Sequence, residues 1–172
     1  AGHQPMVSPS GRFVIAYNGE IYNHNDLRSK LKGTRQKENW KGGSDTETLL
    51  ALIEADGVAS ALDQIVGMFA FALWDKKERS LYLARDRMGE KPLYYGWQKS
   101  VFLFGSELKA LRAHPAFVGE VDRDSIALQL RHNCIPAPYS IYKGINKLPP
   151  GEFLKFSESN IHVHCIHVIE LR

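Results

Sequence analysis

The chain lacks long apolar stretches and has few cysteines. No apolar run in its 172 residues approaches the roughly 18 residues that a membrane-spanning helix needs. Residues 1–10 also lack the charged and apolar blocks of a signal peptide. Two cysteines, Cys134 and Cys165, do not make a disulfide framework. We therefore expect no membrane partner and a reducing, cytoplasmic setting.

An excess of charge of one sign is also missing. The 22 basic and 19 acidic side chains leave a net charge of +3, and the two signs are interleaved over most of the length. A nucleic-acid binder concentrates its basic residues in a patch or stripe, so we expect no nucleic-acid partner. The chain is 44% hydrophobic and 24% charged, without repeats or low-complexity linkers, which is typical of one globular domain.

Apolar spacing and turn residues predict both strands and helices. Ser44, followed by Glu47 three residues later, is a capping-box pattern that predicts the start of a helix. Residues 32–43 are polar and irregular, which predicts a loop, and Gly33 is expected to close the helix before it. The predicted strands are 12–17, 67–74, 80–85, 92–97 and 101–104, and the predicted helices are 25–31, 44–55, 59–65, 106–111 and 122–130. Strands in runs and helices in separate blocks favour an α+β fold.

Two positions carry the strongest chemical signals. Asn18-Gly19 follows a β-rich run, and a sharp turn there would point a side-chain amide and a backbone N–H the same way, as an oxyanion hole requires. In an arbitrary protein the same pair is usually only a tight turn. Asp45 lies in the first turn of a predicted helix, where a carboxylate faces unpaired N–H groups, so a purely structural role is open for it as well.

Other polar clusters have plainer interpretations. Arg85, Asp86 and Arg87 are interpreted as a strand end and turn with surface ion pairs rather than as an anion site, and Glu107 with Lys109 is interpreted in the same way. A histidine-rich stretch near the end of the chain has residue types that bind zinc, but no second cluster completes a ligand set, so we expect no metal. That stretch contains His162, His164, Cys165 and His167.

Six motifs occur in order: NGEIYN at 18–23, SDTE at 44–47, GMFAFALWD at 67–75, ARDRMGEKPLY at 84–94, GSELKAL at 105–111 and LPPG at 148–151. Together they resemble the glutaminase domain of glutamine-hydrolysing asparagine synthetases, a class II glutamine amidotransferase domain with an N-terminal-nucleophile fold. The resemblance implies an α+β, four-layer αββα sandwich of antiparallel sheets over residues 1–156, incomplete at its N-terminus. Residues 157–172 are then expected to begin a linker or tail.

The resemblance also assigns roles to residues. It makes L-glutamine the substrate, with the Asn18 side-chain amide and the Gly19 N–H as the oxyanion hole. Gly19 and Glu20 contact glutamine, and Asp45 binds its α-ammonium. The family's carboxylate-binding Arg and its N-terminal Cys nucleophile match no residue of this chain, which starts Ala1-Gly2-His3.

An internal cysteine cannot replace that nucleophile, because its own nitrogen is an amide and is not basic. Cys134 and Cys165 are therefore poor substitutes. We expect the chain to lack its opening segment and to be inactive alone. The alternative is a non-catalytic amino-acid-binding or docking domain.

The family continues into a second domain that completes the reaction. That synthetase domain uses a Ser-Gly-Gly-x-Asp-Ser loop to bind ATP, with Mg²⁺, and aminates an activated carboxylate with the ammonia. The loop is absent from this sequence, so no cofactor is expected in this domain. The expected partners are L-glutamine, the C-terminal synthetase domain and a second copy in a homodimer. Residues 135–142 resemble a region of members from surface-polysaccharide gene clusters, which leaves aspartate or a related acceptor open.

Overall fold

The computed structural model describes residues 3–34, 40–157 and 160–165. Its strands are β1 (Met6–Val7), β2 (Phe13–Ile21), β3 (Gly67–Asp75), β4 (Ser80–Arg85), β5 (Tyr94–Gln98), β6 (Val101–Gly105), β7 (Ile145–Lys147), β8 (Glu152–Ser157) and β9 (Asn160–Cys165). Its helices are α1 (His24–Thr34), α2 (Asp45–Asp56), α3 (Val58–Gln64), α4 (Leu108–Arg112) and α5 (Arg123–His132).

The strands form two antiparallel sheets. The larger has the order β1-β2-β3-β4-β8-β9, and the smaller has the order β6-β5-β7. The pairing of β2 with β3 covers nine residues of each strand, from Phe13 opposite Asp75 to Ile21 opposite Gly67. This long register fixes which side chains of β2 face each neighbouring layer, because successive side chains alternate between the faces of a sheet.

The core confirms a four-layer αββα arrangement. One apolar cluster joins α1, α2 and α3 to one face of the large sheet, with Ile15, Phe71 and Leu50 among its members. A second cluster fills the space between the two sheets. A third packs α4 against the outer face of the small sheet, where Leu111 meets Leu103. Strand β3 therefore has buried side chains on both of its faces, which explains its run of apolar residues.

Several boundaries differ from the sequence predictions. The strand predicted at 12–17 continues to Ile21, so Asn18-Gly19 lies inside β2 and the predicted turn is wrong. The helix predicted to close at Gly33 runs to Thr34. Ser44 caps α2 as predicted. Within 157–172, β9 pairs with β8, and the domain boundary at residue 156 stays a prediction.

Among the described residues, no helix combines the length and apolarity that crossing a membrane requires. The same part of the chain contains no group of three or more His, Cys, Asp or Glu side chains placed to hold a metal ion. His162, His164 and Cys165 belong to β9, whereas His167 lies outside the described residues.

Candidate functional site

The outer side of β2 carries a row of backbone N–H groups that do not pair with β3. In an antiparallel strand these groups alternate between the two neighbouring sides. The N–H of Tyr17 donates to Gln4 Oε1 over 2.6 Å, and the N–H of Ile21 donates to Asp45 Oδ2 over 3.0 Å. Because of this alternation, the N–H of Gly19 points to the same side as the N–H groups of Tyr17 and Ile21 and lies between them.

No strand covers Gly19 on that side in the part of the chain that the structure describes. The short strand β1 pairs only with Val14 and Ile15. Further along β2, past the residues that pair with β1, the N–H of Tyr17 donates to the side chain of Gln4 and the N–H of Ile21 donates to that of Asp45. The N–H of Gly19 is therefore a backbone donor with an open approach, flanked by a carboxamide and a carboxylate.

Glycine is required at position 19 by the close approach of β3. A Cβ on Gly19 would lie 2.1 Å from the carbonyl oxygen of Met68, and its φ is +152°. The contact is reciprocal, since a Cβ on Gly67 would lie 2.1 Å from the carbonyl oxygen of Glu20. Only residues without a Cβ fit at these two positions. The tight contact also fixes the backbone that presents the Gly19 N–H.

The side chain of Asn18 approaches the site from a different direction than the Gly19 N–H. Asn18 pairs with Ala70, whose side chain packs between the sheets, so Asn18 also projects towards the small sheet. Its Nδ2 donates to Ser106 Oγ over 3.3 Å, in an exposed contact just after β6. Glu20, two residues further along β2, lies on this face and is exposed.

Asp45 connects the first turn of α2 to β2. Its Oδ1 accepts from the N–H of Thr46 over 2.8 Å, as a helix-start acid does. Its Oδ2 accepts from the Ile21 N–H and, over 3.3 Å, from the Tyr17 hydroxyl. Asp45 therefore has both a structural role at the helix start and a position beside the open side of β2. Of the predicted site residues, Asn18, Gly19, Glu20 and Asp45 all lie within or against one stretch of β2.

Tyr17 and Gln4 are site residues that the sequence analysis missed. Burial raises the pKa of the Tyr17 phenol, and the neighbouring Asp45 carboxylate raises it further. The hydroxyl therefore stays protonated and acts as a donor to that carboxylate. The sequence assigned no role to either residue, because their contacts with β2 and α2 follow only from the fold.

Residues 85–87 form a strand end and a turn as predicted, but the predicted surface ion pairs are wrong. Asp86 is only 1% exposed, and its carboxylate accepts backbone N–H bonds from Phe69, Met88, Glu90 and Lys91. Arg85 donates to the carbonyl oxygens of Gly89, Lys91 and Leu148. Arg87 donates to the carbonyl oxygens of Leu62, Asp63 and Ile65 at the end of α3. Residues 85–87 hold the backbone around β4 in place, because their charged side chains form hydrogen bonds with peptide N–H and C=O groups. Glu107 and Lys109 form the exposed ion pair that was expected.

Comparison with known proteins identifies relatives over most of the chain. A family model with the description "Glutamine amidotransferase domain" matches residues 1–166. The chain is 40% identical to glutamine-hydrolyzing asparagine synthetase 3 of Bacillus subtilis, over 94% of this chain and 26% of that protein. It is 37% identical to the putative glutamine-hydrolyzing asparagine synthetase 2 of Methanocaldococcus jannaschii, over 92% of this chain and 30% of that protein. The chain thus spans less than a third of the length of these two curated relatives.

Solved structures share the fold at low sequence identity. Glutamine phosphoribosylpyrophosphate amidotransferase from B. subtilis superimposes with a TM-score of 0.67 at 20% identity, covering 96% of this chain and 32% of that one. A glutamine aminotransferase class-II domain protein from Silicibacter pomeroyi gives a TM-score of 0.58 at 16% identity, covering 95% of this chain and 72% of that one. These matches confirm the N-terminal-nucleophile type of αββα sandwich.

Proposed function

The chain belongs to the glutamine amidotransferase domain family, and on that premise we propose that it binds L-glutamine along the outer side of β2. The α-ammonium of glutamine is bound by Asp45, and its side-chain carbonyl oxygen accepts from the Gly19 N–H. Glu20 lies on the strand between these two points and contacts the ligand. A free amino acid offers a cation at one end, and Asp45 supplies a carboxylate beside the open side of β2, two residues from Gly19 along the strand.

The spacing of the two groups on one strand is the observation that supports this proposal best. Asp45 is bonded to the N–H of Ile21, two residues beyond Gly19. Two residues along a strand advance about 6.6 Å. This is the scale of an extended glutamine between its α-nitrogen and its amide oxygen, so one ligand molecule can reach both groups.

Asn18 and Gly19 would then act on the reaction itself. When a nucleophile attacks the glutamine amide, negative charge develops on its oxygen, and two fixed donors stabilise that charge. The Gly19 N–H is one donor. The Asn18 amide is the other, since its 3.3 Å bond to Ser106 Oγ is exposed and can be exchanged for one to the oxyanion.

The complete protein would hydrolyse L-glutamine to glutamate and ammonia, using a Cys nucleophile outside this chain. The ammonia would be transferred to an ATP-activated carboxylate, aspartate or a related acceptor, in a C-terminal synthetase domain that binds ATP and Mg²⁺. The names of the relatives, which are glutamine-hydrolyzing asparagine synthetases, support this proposal. A cytoplasmic location and a homodimer stay predictions.

Calorimetric titration of this chain with L-glutamine tests the binding step. Asp45→Asn should weaken binding at least tenfold, because a charge-assisted bond is worth about 1.5–3 kcal/mol. Asp124→Asn is the matched control, since Asp124 is also a first-turn acid, in α5. Equal affinity of Asp45→Asn and the unaltered chain would contradict the assignment. Release of glutamate by the complete protein distinguishes the amidotransferase from a non-catalytic binding domain.

A further inference from the structure

A partly buried ion pair joins α1 to α2 and contacts the segment of residues 41–44 that leads to Asp45. Arg28 Nη2 lies 3.2 Å from Glu47 Oε2, and the two side chains are 13% and 14% exposed. Taking two charges out of water is costly, so a pair of this kind adds little stability unless its remaining donors and acceptors are satisfied. Here they are satisfied by the backbone of Lys41, Gly42 and Ser44 and by the Thr48 hydroxyl.

Glu47 holds the beginning of this segment. Its Oε1 accepts from the N–H of Lys41 over 2.6 Å, and its Oε2 accepts from the N–H of Gly42 over 3.1 Å. Glu47 stands at the third position of α2, so the carboxylate folds the preceding chain back onto its own helix. The incoming backbone therefore cannot move without breaking charge-assisted bonds.

Arg28 holds the same segment from the other side. Its Nη1 donates to the Gly42 carbonyl over 2.8 Å, and its Nη2 donates to the Ser44 carbonyl over 3.3 Å. Its Nε donates to Thr48 Oγ1 over 3.1 Å, and its guanidinium lies 4.0 Å from the ring centre of Trp40. A guanidinium satisfies these acceptors together because its donors are fixed in one plane.

We propose that Arg28 and Glu47 are positioning residues that set the place of the Asp45 carboxylate against β2. Together they fix the backbone of residues 41–44, and residue 44 is the N-cap from which α2 begins. Asp45 is the next residue, so the direction in which α2 starts decides whether its carboxylate reaches the Ile21 N–H. The consequence for glutamine rests on the proposed function, whereas the placement of Asp45 does not.

The Ile21 amide reports this placement without any ligand. It faces away from β3 and donates to Asp45, so its protection from hydrogen exchange depends on that carboxylate. In Arg28→Met we expect the Ile21 and Gly42 amides of the full chain to exchange at least tenfold faster. Amides that bond within the β2–β3 ladder, such as that of Ala72, should change much less.

Arg12→Met is the matched control. Arg12 likewise pairs with a carboxylate, that of Asp75, but at the opposite end of β2, where Phe13 lies opposite Asp75. This variant should leave the protection of Ile21 relative to Ala72 unchanged. Arg28→Lys keeps the charge but not the planar donors, so it should restore only part of the protection.

Glu47→Gln provides a second route if Arg28→Met does not fold, because it removes the charge and keeps an acceptor for one N–H. The proposal is overturned if exchange of the Ile21 amide speeds up only as much as that of Ala72 in these variants, or if Arg12→Met speeds it up equally.

Titration with L-glutamine then separates the positioning role of Arg28 and Glu47 from the proposed binding of glutamine. Faster exchange at Ile21 in Arg28→Met, together with a tenfold rise in the Kd for L-glutamine, supports both the positioning role and the proposed function. The same exchange result with no glutamine binding by the unaltered chain supports the positioning role and rejects the proposed function.

Discussion

The backbone N–H of Ile21 donates to the Asp45 carboxylate over 3.0 Å, which ties the end of β2 to the start of α2. Four protein donors reach this carboxylate, and a carboxylate has about four acceptor positions. Two of the donors are the backbone N–H groups of Ile21 and Thr46. The other two are the hydroxyls of Tyr17 and Thr46, at 3.3 and 3.4 Å. Hydroxyls rotate, so a ligand ammonium can take their places while the backbone bonds remain.

Tyr17→Phe should therefore retain L-glutamine binding within about threefold of the unaltered chain, because the bond it removes is long and competes with the ligand for Asp45. Titration calorimetry of both proteins measures the ratio of the Kd values. A loss of binding as large as that expected for Asp45→Asn would mean that the Tyr17 hydroxyl is needed to orient the carboxylate.

The Asp86 carboxylate should be one of the largest single contributors to stability. It is buried and accepts from four backbone N–H groups. Asp86→Asn replaces an acceptor oxygen by a donor that faces other donors, so we expect the free energy of unfolding to fall by at least about 3 kcal/mol. Urea unfolding measures the change. Glu90→Gln, on an exposed side chain of the same loop, should stay within about 0.5 kcal/mol, and an equal loss in both variants would contradict the assignment.

The local sequence pattern predicted where α2 begins, but it did not predict the partners of Glu47. Ser44 accepts from the N–H of Thr46 as an N-cap does. In a capping box Glu47 would accept from the N–H of Ser44, but it accepts from Lys41 and Gly42 and pairs with Arg28. The pattern identified the helix start correctly. The partner of Glu47 depends on where α1 packs, which no local pattern contains.

Long-range pairing explains the errors in the sheets. Asn18-Gly19 has the composition of a turn, yet the nine-residue register with β3 keeps it extended and buries Tyr17 and Ile21 on either side. Strands β7 and β8 were not predicted at all. The pairing of β8 with β4 joins residues about 70 positions apart, such as Leu154 and Leu83, and it depends on the closed core rather than on local propensity.

Acidification should destabilise the fold partly through Asp75. Burial on its own raises the pKa of this carboxyl, but hydrogen bonds from Arg12 and from the N–H groups of Glu78 and Lys77 outweigh it and lower the pKa. The resulting stabilisation is present above the unfolded-state pKa of about 3.9. It is lost as the pH falls through the lower pKa of the folded state.

Asp75→Asn should therefore be less stable at neutral pH and lose less of its remaining stability below about pH 4. Urea unfolding across this range, compared with Glu120→Gln in the exposed pair with Lys143, measures the difference. Parallel stability curves for Asp75→Asn and the unaltered chain would show that Asp75 does not carry this acid sensitivity.

Gly19→Ala tests the close approach on which the oxyanion donor depends. The added Cβ would lie 2.1 Å from the Met68 carbonyl oxygen, so β2 must shift away from β3, and we expect a loss of at least about 2 kcal/mol in urea unfolding. Gly43→Ala is the control. No atom lies within 4 Å of its Cβ position, and its φ is outside the left-handed region, so this change should be neutral or slightly stabilising. If Gly19→Ala were as stable as Gly43→Ala, β3 would not be what fixes the backbone at Gly19. The direction of the Gly19 N–H, and with it the spacing to Asp45 that supports glutamine binding, would then lose its physical basis.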